Sequence, residues 1–430
     1  MMISKVKNAM SSLVGGMMPH GHHHNHHPGG GQPGGPDSLP PRFPYGRPDF
    51  LDLTPELLQY STEHASRPVL TLKRDSRLPW RSGYAEVINA GKSMLNEDQG
   101  CCEKLFVKKP SGKKRNSPLL EDNGDGTGIP MHYFGVFDGH AGSGAAIMAS
   151  KLLHRLIRDR LGEICHLLEN PTSAPPICLA KNGGPYQADS KKGAAQDTED
   201  PDAVTDSSVR FHMEKVVSLE SLVMGVIETA FSQMGFLRPE LLGNEFTHIE
   251  FPRRIQHSEL GKKMLYRDHT MTGWAYKTIV EDDLKFPLIY GEGKKARVMA
   301  TIGVTRGLGD HELKVYNSNI YIKPFLSCVP EVMVYNMDEN KHGPNDVLVM
   351  GTDGLWDVTT DREVADAVSA YLSCCDPSDP MRYTLAAQDL LMRSRGVLKE
   401  RGWRLPNERL GSGDDITVFV IPLAGPGKET

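Results

Sequence analysis

The first two thirds of the chain contain apolar patterns that predict both strands and helices. Short apolar runs bounded by turn residues predict strands at 83–91, 101–109 and 133–137. Apolar residues recur at helical spacing through 145–168 and again through 218–234. The second helix is preceded by a serine that is suited to capping its N-terminus. This part of the chain therefore predicts a mixture of helices and strands.

The C-terminal third repeats this mixture with clearer boundaries. Apolar runs predict strands at 331–337, 346–354 and 416–423, while helical spacing predicts helices at 361–372 and 379–398. Helices follow groups of strands instead of alternating regularly with them. This order favours an α+β sandwich over a doubly wound parallel sheet.

Three stretches lie outside these patterns. Residues 1–50 predict a disordered N-terminal region, because a tract rich in His, Gly and Pro follows a short helical stripe at 2–18. That stripe could form an amphipathic helix in peripheral contact with a membrane surface, or it could be a frayed terminus. The folded domain is expected at 51–430, with a polar surface insertion at 169–212 and a flap-like insert at 242–296.

Charge and cysteine content narrow the class of protein. The net charge of −5 gives no support for nucleic-acid binding, and no apolar stretch reaches the length of a membrane-spanning helix. The seven cysteines lack metal-finger spacing, which favours reduced thiols in a cytoplasmic protein. None of them has an arginine at the offset that cysteine phosphatases need. A cysteine-based phosphatase is therefore excluded.

Acidic residues recur at the ends of the predicted buried strands. Asp138 and Asp353 each follow an apolar run, and the pair Asp414–Asp415 precedes another. Glu97–Asp98 lies in the loop beside the first strands. Each of these alone is typical of an ordinary turn. Their repetition is what points to a common site.

A cluster of carboxylates at an apolar rim requires a counter-charge, because like charges repel and are costly to desolvate. A pair of hard divalent cations would supply it, and oxygen ligands of this kind suit Mg²⁺ or Mn²⁺. Two such ions can lower the pKa of a water molecule between them. A phosphate ester is the natural substrate of that arrangement.

At these residues the chain resembles the metal-dependent type 2C serine/threonine protein phosphatases. The segments "FDGHAG", "TRGLGD", "TDGLWD" and "GDDIT" occur in that family's order. Within the family, "GYAEVINAGKSMLNEDQ" and "LLGNEFTHIEFPRR" are most similar to the protein phosphatase 1J/1H/1M group. The resemblance implies a four-layer αββα sandwich that hydrolyses phosphoserine and phosphothreonine in phosphoprotein substrates with two Mg²⁺ or Mn²⁺ ions.

The resemblance also implies a ligand set. Asp138 would bridge both ions, and the carbonyl of Gly139 would bind one of them. Asp353 and Asp414 would be further direct ligands, whereas Glu97–Asp98 would hold metal-bound waters. These assignments are expectations that follow from the family's motifs.

Two further roles follow from the same resemblance. His140 would be the general acid that protonates the leaving oxygen of serine or threonine. Lys92 stands nearest to the position where family members usually carry an arginine for the substrate phosphate, and lysine lacks the bidentate geometry of that arginine. Asp310 is expected to be structural.

One block of the family pattern is missing. After the helix that ends at Met234, relatives continue into central strands that include a "GDSR" motif, but this chain contains no "GDSR". Its loss removes inner strands of the sandwich, which predicts low phosphatase activity and poor stability. The alternative is a truncated, inactive or weakly active pseudophosphatase that acts by binding. The basic pairs of the flap-like insert would favour acidic or phosphorylated partners in that case.

Overall fold

The computed structural model describes residues 43–109, 128–171, 217–235 and 246–424, apart from the single positions 248, 254, 269, 270, 272, 292, 317 and 324. The predicted helix at 2–18, the histidine tract and residues 172–212 of the polar insertion lie outside these ranges. None of the described helices combines the length and the apolar character that crossing a membrane requires.

The described strands are short, apart from two of nine residues. In chain order they are β1 (Val69–Thr71), β2 (Gly83–Val87), β3 (Gln99–Val107), β4 (Ile129–Phe137), β5 (Phe246–Thr247), β6 (Ile249–Glu250), β7 (Lys263–Asp268), β8 (Ala275–Thr278), β9 (Phe286–Pro287), β10 (Ile289–Tyr290), β11 (Arg297–Val298), β12 (Val347–Gly351), β13 (Val397–Lys399), β14 (Gly402–Arg404) and β15 (Ile416–Pro422).

The described α-helices fall into one group before the flap-like insert and one group after it. In chain order they are α1 (Pro55–Tyr60), α2 (Gly144–Glu163), α3 (Cys165–Glu169), α4 (Leu219–Met234), α5 (Asp353–Trp356), α6 (Asp361–Cys374) and α7 (Arg382–Arg395). The side chain of Ser218 accepts a hydrogen bond from the backbone N–H of Ser221, which confirms the expected cap of α4.

The main sheet has four antiparallel strands in the order β1–β2–β15–β12. All seven residues of β15 are buried, since the sheet is covered on both faces. Helices α6 and α7 cover one face through an apolar cluster that includes Val364, Leu390 and Val418. On the other face Phe419 contacts Phe134 of β4, with ring centroids 5.9 Å apart.

Strands β3 and β4 form a separate antiparallel ribbon between the main sheet and the helices α2 and α4. Among the described residues this second sheet has only two strands. The α+β class is thus confirmed, while the full four-layer sandwich stays a prediction. A second sheet with only two described strands is consistent with the loss of the block that would supply inner strands of the sandwich.

The folded unit begins at Phe43, before the expected boundary at residue 51. The ring of Phe50 packs edge-on against Tyr84 at a centroid distance of 4.8 Å. Arg47 is 7 % exposed and forms a bidentate ion pair with the fully buried Glu86. Residues 43–50 are therefore part of the folded domain, because a buried arginine fastens them to β2.

Two other boundaries differ from the sequence pattern. The prediction of a strand at 331–337 is wrong: these residues belong to no described strand and have no strand partner within the described ranges. An apolar, β-prone pattern becomes a strand only where a neighbour completes the hydrogen-bond ladder. The helix expected at 145–168 is divided at Ile164 into α2 and α3.

The described part of the flap-like insert folds as small separate sheets. Strands β6, β7 and β8 form a three-stranded sheet, and β5 pairs in parallel with β9. Lys277 forms an ion pair with the buried Asp283 at 2.5 Å, which fastens β8 to the turn that follows it.

Candidate active site

Asp138 stands directly after β4, where the ribbon ends. Its Oδ2 atom accepts a hydrogen bond from the backbone N–H of Asp353 at 3.0 Å. A Cβ atom at Gly139 would lie 2.2 Å from the carbonyl oxygen of Glu97. Only glycine allows the chain to pass this close, so Gly139 sets the distance between Asp138 and the loop that carries Glu97.

Asp353 is placed by the pairing of β12 with β15. The backbone N–H of Thr417 donates to Oγ1 of Thr352 at 3.0 Å, which holds the turn after β12. A Cβ atom at Gly354 would lie 1.9 Å from the carbonyl oxygen of Asp415. The first turn of α5 therefore lies against the chain just before β15.

Asp414 and Asp415 have different surroundings. Asp414 forms an ion pair with the ammonium of Lys92. The buried Asp415 accepts hydrogen bonds from both nitrogens of Asn89, at 2.7 and 3.0 Å, and from the backbone N–H of Glu97 at 3.0 Å. Asp415 thereby holds the loop 89–97 against the start of β15.

Asp98 lies deeper than the other acidic residues and is only 1 % exposed. Its Oδ2 atom accepts a hydrogen bond from the hydroxyl of Thr352 at 2.7 Å, and its carbonyl oxygen accepts one from Arg47 at 2.7 Å. Burial raises the pKa of Asp98 well above its usual value, and the negative charge of Asp138 raises it further.

The carboxylates influence one another electrostatically. Burial raises the pKa of Asp353 to about 6, and the charges of Asp138 and Asp414 add to the rise. The pKa of Asp138 is also raised, chiefly by burial and then by Asp414. Burial would lower the pKa of Lys92, but its contact with Asp414 raises it. Acidic groups from three distant parts of the chain thus share one environment.

His140 contacts an aspartate that the sequence pattern assigned to the scaffold. Its Nε2 atom donates to Oδ2 of Asp310 at 3.0 Å. This hydrogen bond raises the pKa of His140, and the charges of Asp138 and Glu97 act in the same direction. The imidazole is therefore stabilised in its protonated form at the mouth of the site.

Cavities lie on both sides of Asp138. One of about 650 Å³ extends from Asp138 and His140 between α2, α4 and the segment 306–331. Another, of about 390 Å³, lies between Val136 of β4 and the end of β12. Both cavities give Asp138 access to solvent.

The donor set fits a hard divalent cation, since every candidate ligand is a carboxylate or carbonyl oxygen. Burial raises the pKa of Asp138 and Asp353 most, and the negative charges of neighbouring carboxylates, which a cation would offset, raise it further. Within the described ranges, however, no three acidic, histidine or cysteine side chains approach closely enough to ligate one ion directly. The structure brings the expected residues into one neighbourhood with looser spacing than a closed metal site has.

Several residues that shape this neighbourhood were not identified from sequence. Arg47 and Asp415 hold the loop of Glu97–Asp98 from opposite sides, and Thr352 bonds to Asp98. Asp415 belongs to the acidic pair before β15, of which only Asp414 was assigned a ligand role from the resemblance. Arg47 lies in a stretch without a regular pattern, so the sequence carried no signal for it.

The fold and the acidic site agree with comparisons against known proteins. A family model described as Protein phosphatase 2C matches residues 288–393. Protein phosphatase 1H of Mus musculus is 48 % identical over 509 aligned positions, which cover 98 % of this chain and 99 % of the relative. The chain therefore belongs to the protein phosphatase 2C family, and its enzyme class is that of the protein-serine/threonine phosphatases, which are hydrolases.

Within the family, the chain lies close to the 1H and 1J proteins. Protein phosphatase 1H of Homo sapiens is 48 % identical over 98 % of this chain and 99 % of the relative. Protein phosphatase 1J of Homo sapiens is 47 % identical over 90 % of this chain and 87 % of the relative. The alignment with the mouse 1H protein has 509 positions and the chain has 430 residues, so at least 79 positions of that relative have no counterpart here.

Proposed function

We propose that the chain is a metal-dependent phosphatase that removes phosphate from phosphoserine and phosphothreonine in phosphoproteins. The observation that carries this proposal is the shared environment of Asp138, Asp353 and Asp414, which raises the pKa of the first two. These residues come from three distant parts of the chain, and a scaffold role would not require them to meet.

Two Mg²⁺ or Mn²⁺ ions would be held by Asp138, the carbonyl of Gly139, Asp353 and Asp414. Glu97–Asp98 would complete the ligand set through water. When bound, the ions would supply a water molecule activated for attack on the phosphate ester. The raised pKa values support this assignment, because cations would relieve the repulsion that causes part of the rise.

The chain's own residues would orient the substrate and move the proton. His140 would donate a proton to the leaving oxygen of serine or threonine, and its contact with Asp310 favours the protonated form that this step requires. Lys92 would attract the phosphate as a point charge, in competition with its ion pair to Asp414. Protonation and phosphate docking would thus be carried out by different side chains, both of which sense the charge of Asp138.

The missing strands would lower activity without removing the chemistry. The complete family fold is expected to be a four-layer αββα sandwich, and this chain keeps only β3 and β4 of the second sheet among the described residues. Asp138 at the end of this narrow ribbon has less support than a wide sheet would provide. We expect turnover below that of the 1H and 1J relatives.

We infer the location of the protein in the cell and its contact with membranes from the sequence. The cysteine content supports a cytoplasmic location, and the helical stripe at 2–18 supports peripheral contact with a membrane surface. A lipid-vesicle cosedimentation experiment with the full chain and with a variant that lacks residues 2–18 tests this contact. Equal cosedimentation of both proteins would refute it.

A second candidate is a binding protein without turnover, since no three ligand side chains in the described part of the chain approach closely enough to hold one ion. Phosphate release from a phosphoserine peptide with Mn²⁺ distinguishes the two candidates. Phosphatase function predicts release by the wild type and at least about a hundredfold less by Asp138→Ala, or about 2.7 kcal/mol in activation free energy. Equal rates would favour the binding protein.

A further inference from the structure

The segment Glu331–Tyr335 is largely exposed and has no partner strand within the described ranges. The side chain of Met333 is 92 % exposed, that of Val334 50 % and that of Tyr335 59 %. Within the described ranges, no backbone N–H or C=O of these five residues forms a hydrogen bond. The segment therefore combines apolar side chains, β-branched residues and free ladder groups, which are the properties of an edge that recruits another strand.

One end of the segment Glu331–Tyr335 is held in place by contacts with Arg306. Arg306 forms an ion pair with Glu331 at 2.7 Å, and Ser327, four residues earlier, is in a β-bridge with Arg306. A segment that is already anchored at one end loses less conformational entropy when a strand is added to it. This anchoring therefore favours pairing.

The side chains of the segment favour pairing with the same segment of a second copy of the chain. In an antiparallel pairing about a two-fold axis at Met333, Glu331 faces Tyr335 of the other copy and Val332 faces Val334. The one charged residue of the segment therefore never meets its own copy, and apolar residues oppose one another. Such an interface is self-complementary, as a two-fold dimer requires.

We propose that this chain self-associates through antiparallel pairing of Glu331–Tyr335 with the same segment of a second copy. The sequence of this segment predicts a strand, and a second copy would supply the neighbouring strand that the described residues do not provide. This inference concerns assembly and stands independently of the proposed phosphatase activity.

Sedimentation velocity over a range of concentrations tests the proposal with the full chain. The wild type is expected to show a reversible monomer–dimer equilibrium. Met333→Lys is expected to weaken it at least about tenfold, which corresponds to about 1.4 kcal/mol, because two lysines would face each other at the two-fold axis. Met94→Lys is the matched control, since Met94 is 88 % exposed in another loop. It should dimerise as the wild type does.

Hydrogen exchange at low and high protein concentration tests the kind of contact. Amides of 331–335 are expected to become protected as concentration rises, in the wild type and in Met94→Lys but not in Met333→Lys. A wild type that remains monomeric up to its solubility limit would overturn the proposal. Equal weakening by both lysine variants would do so as well, and so would a dimer whose 331–335 amides stay unprotected.

Discussion

Arg47 provides the most informative stability test, because it joins the N-terminal segment to the site. Its guanidinium forms two hydrogen bonds with Glu86, at 2.6 and 2.7 Å, and the two side chains are 1 % and 0 % exposed. It also donates to the carbonyl oxygens of Asn96 and Asp98. Replacing Arg47 by Met therefore removes a charge partner and a support of the acidic loop together.

The expected loss is large because Glu86 stays behind as a buried, unpaired charge. Breaking one side of a buried ion pair typically costs about 3–5 kcal/mol, out of about 5–15 kcal/mol for a whole domain. Tyr84 donates a hydrogen bond to Glu86 at 2.5 Å, which offsets a part of this loss. We therefore expect Arg47→Met to lower the free energy of unfolding by about 3 kcal/mol.

Urea unfolding followed by tryptophan fluorescence measures this quantity. The double variant Arg47→Met/Glu86→Gln should recover about 1–2 kcal/mol relative to Arg47→Met, because the amide removes the stranded charge and still accepts from Tyr84. Lys73→Met is the control, since its ion pair with Asp52 is exposed and should contribute less than about 1 kcal/mol. If Arg47→Met lowered the free energy of unfolding by less than about 1 kcal/mol, this reasoning would be refuted, because breaking a buried ion pair is expected to destabilise the fold by more than that.

Two further predictions concern the acidic site. Gly139→Ala should lower the free energy of unfolding by about 1–3 kcal/mol in urea titrations, because its methyl group would overlap the carbonyl of Glu97. Gly144→Ala is the control, since a Cβ atom has open space there. Equal losses in the two variants would contradict the close approach at Gly139. Without divalent ions, the free energy of unfolding should fall as pH rises from about 4 to about 6. The reason is that Asp353 has a pKa of about 6 in the folded protein and so binds its proton more tightly there than in the unfolded chain. Asp353→Asn should flatten this slope in thermal melts at several pH values, and an unchanged slope would contradict the assignment.

Elements whose signals are local could be predicted from the sequence. The helix after Ser218 and the buried strand β15 were confirmed, because capping and apolar runs act within a few residues. The segment 331–337 has an equally strong strand pattern but has no strand partner among the described residues. Strand formation depends on a neighbour from elsewhere in the chain, and local residues cannot report whether it is present.

The candidate site likewise has features that could be predicted from the sequence and features that could not. The motifs identified the acids that the structure brings together, because Asp138 directly follows β4 and Asp353 lies two residues after the end of β12. They did not reveal that Lys92 pairs with Asp414 or that His140 pairs with Asp310. These contacts join residues more than 150 positions apart, so they depend on the tertiary fold and leave no local pattern.

We propose above that acids from distant parts of the chain bind divalent cations together. Isothermal titration calorimetry of the metal-free protein with Mn²⁺ measures this joint binding. We expect two bound ions per chain for the wild type and a loss of at least about tenfold in affinity, or about 1.4 kcal/mol, for Asp138→Asn, with the fold retained by circular dichroism. Binding that is absent in the wild type, or unchanged in Asp138→Asn, would contradict this proposal.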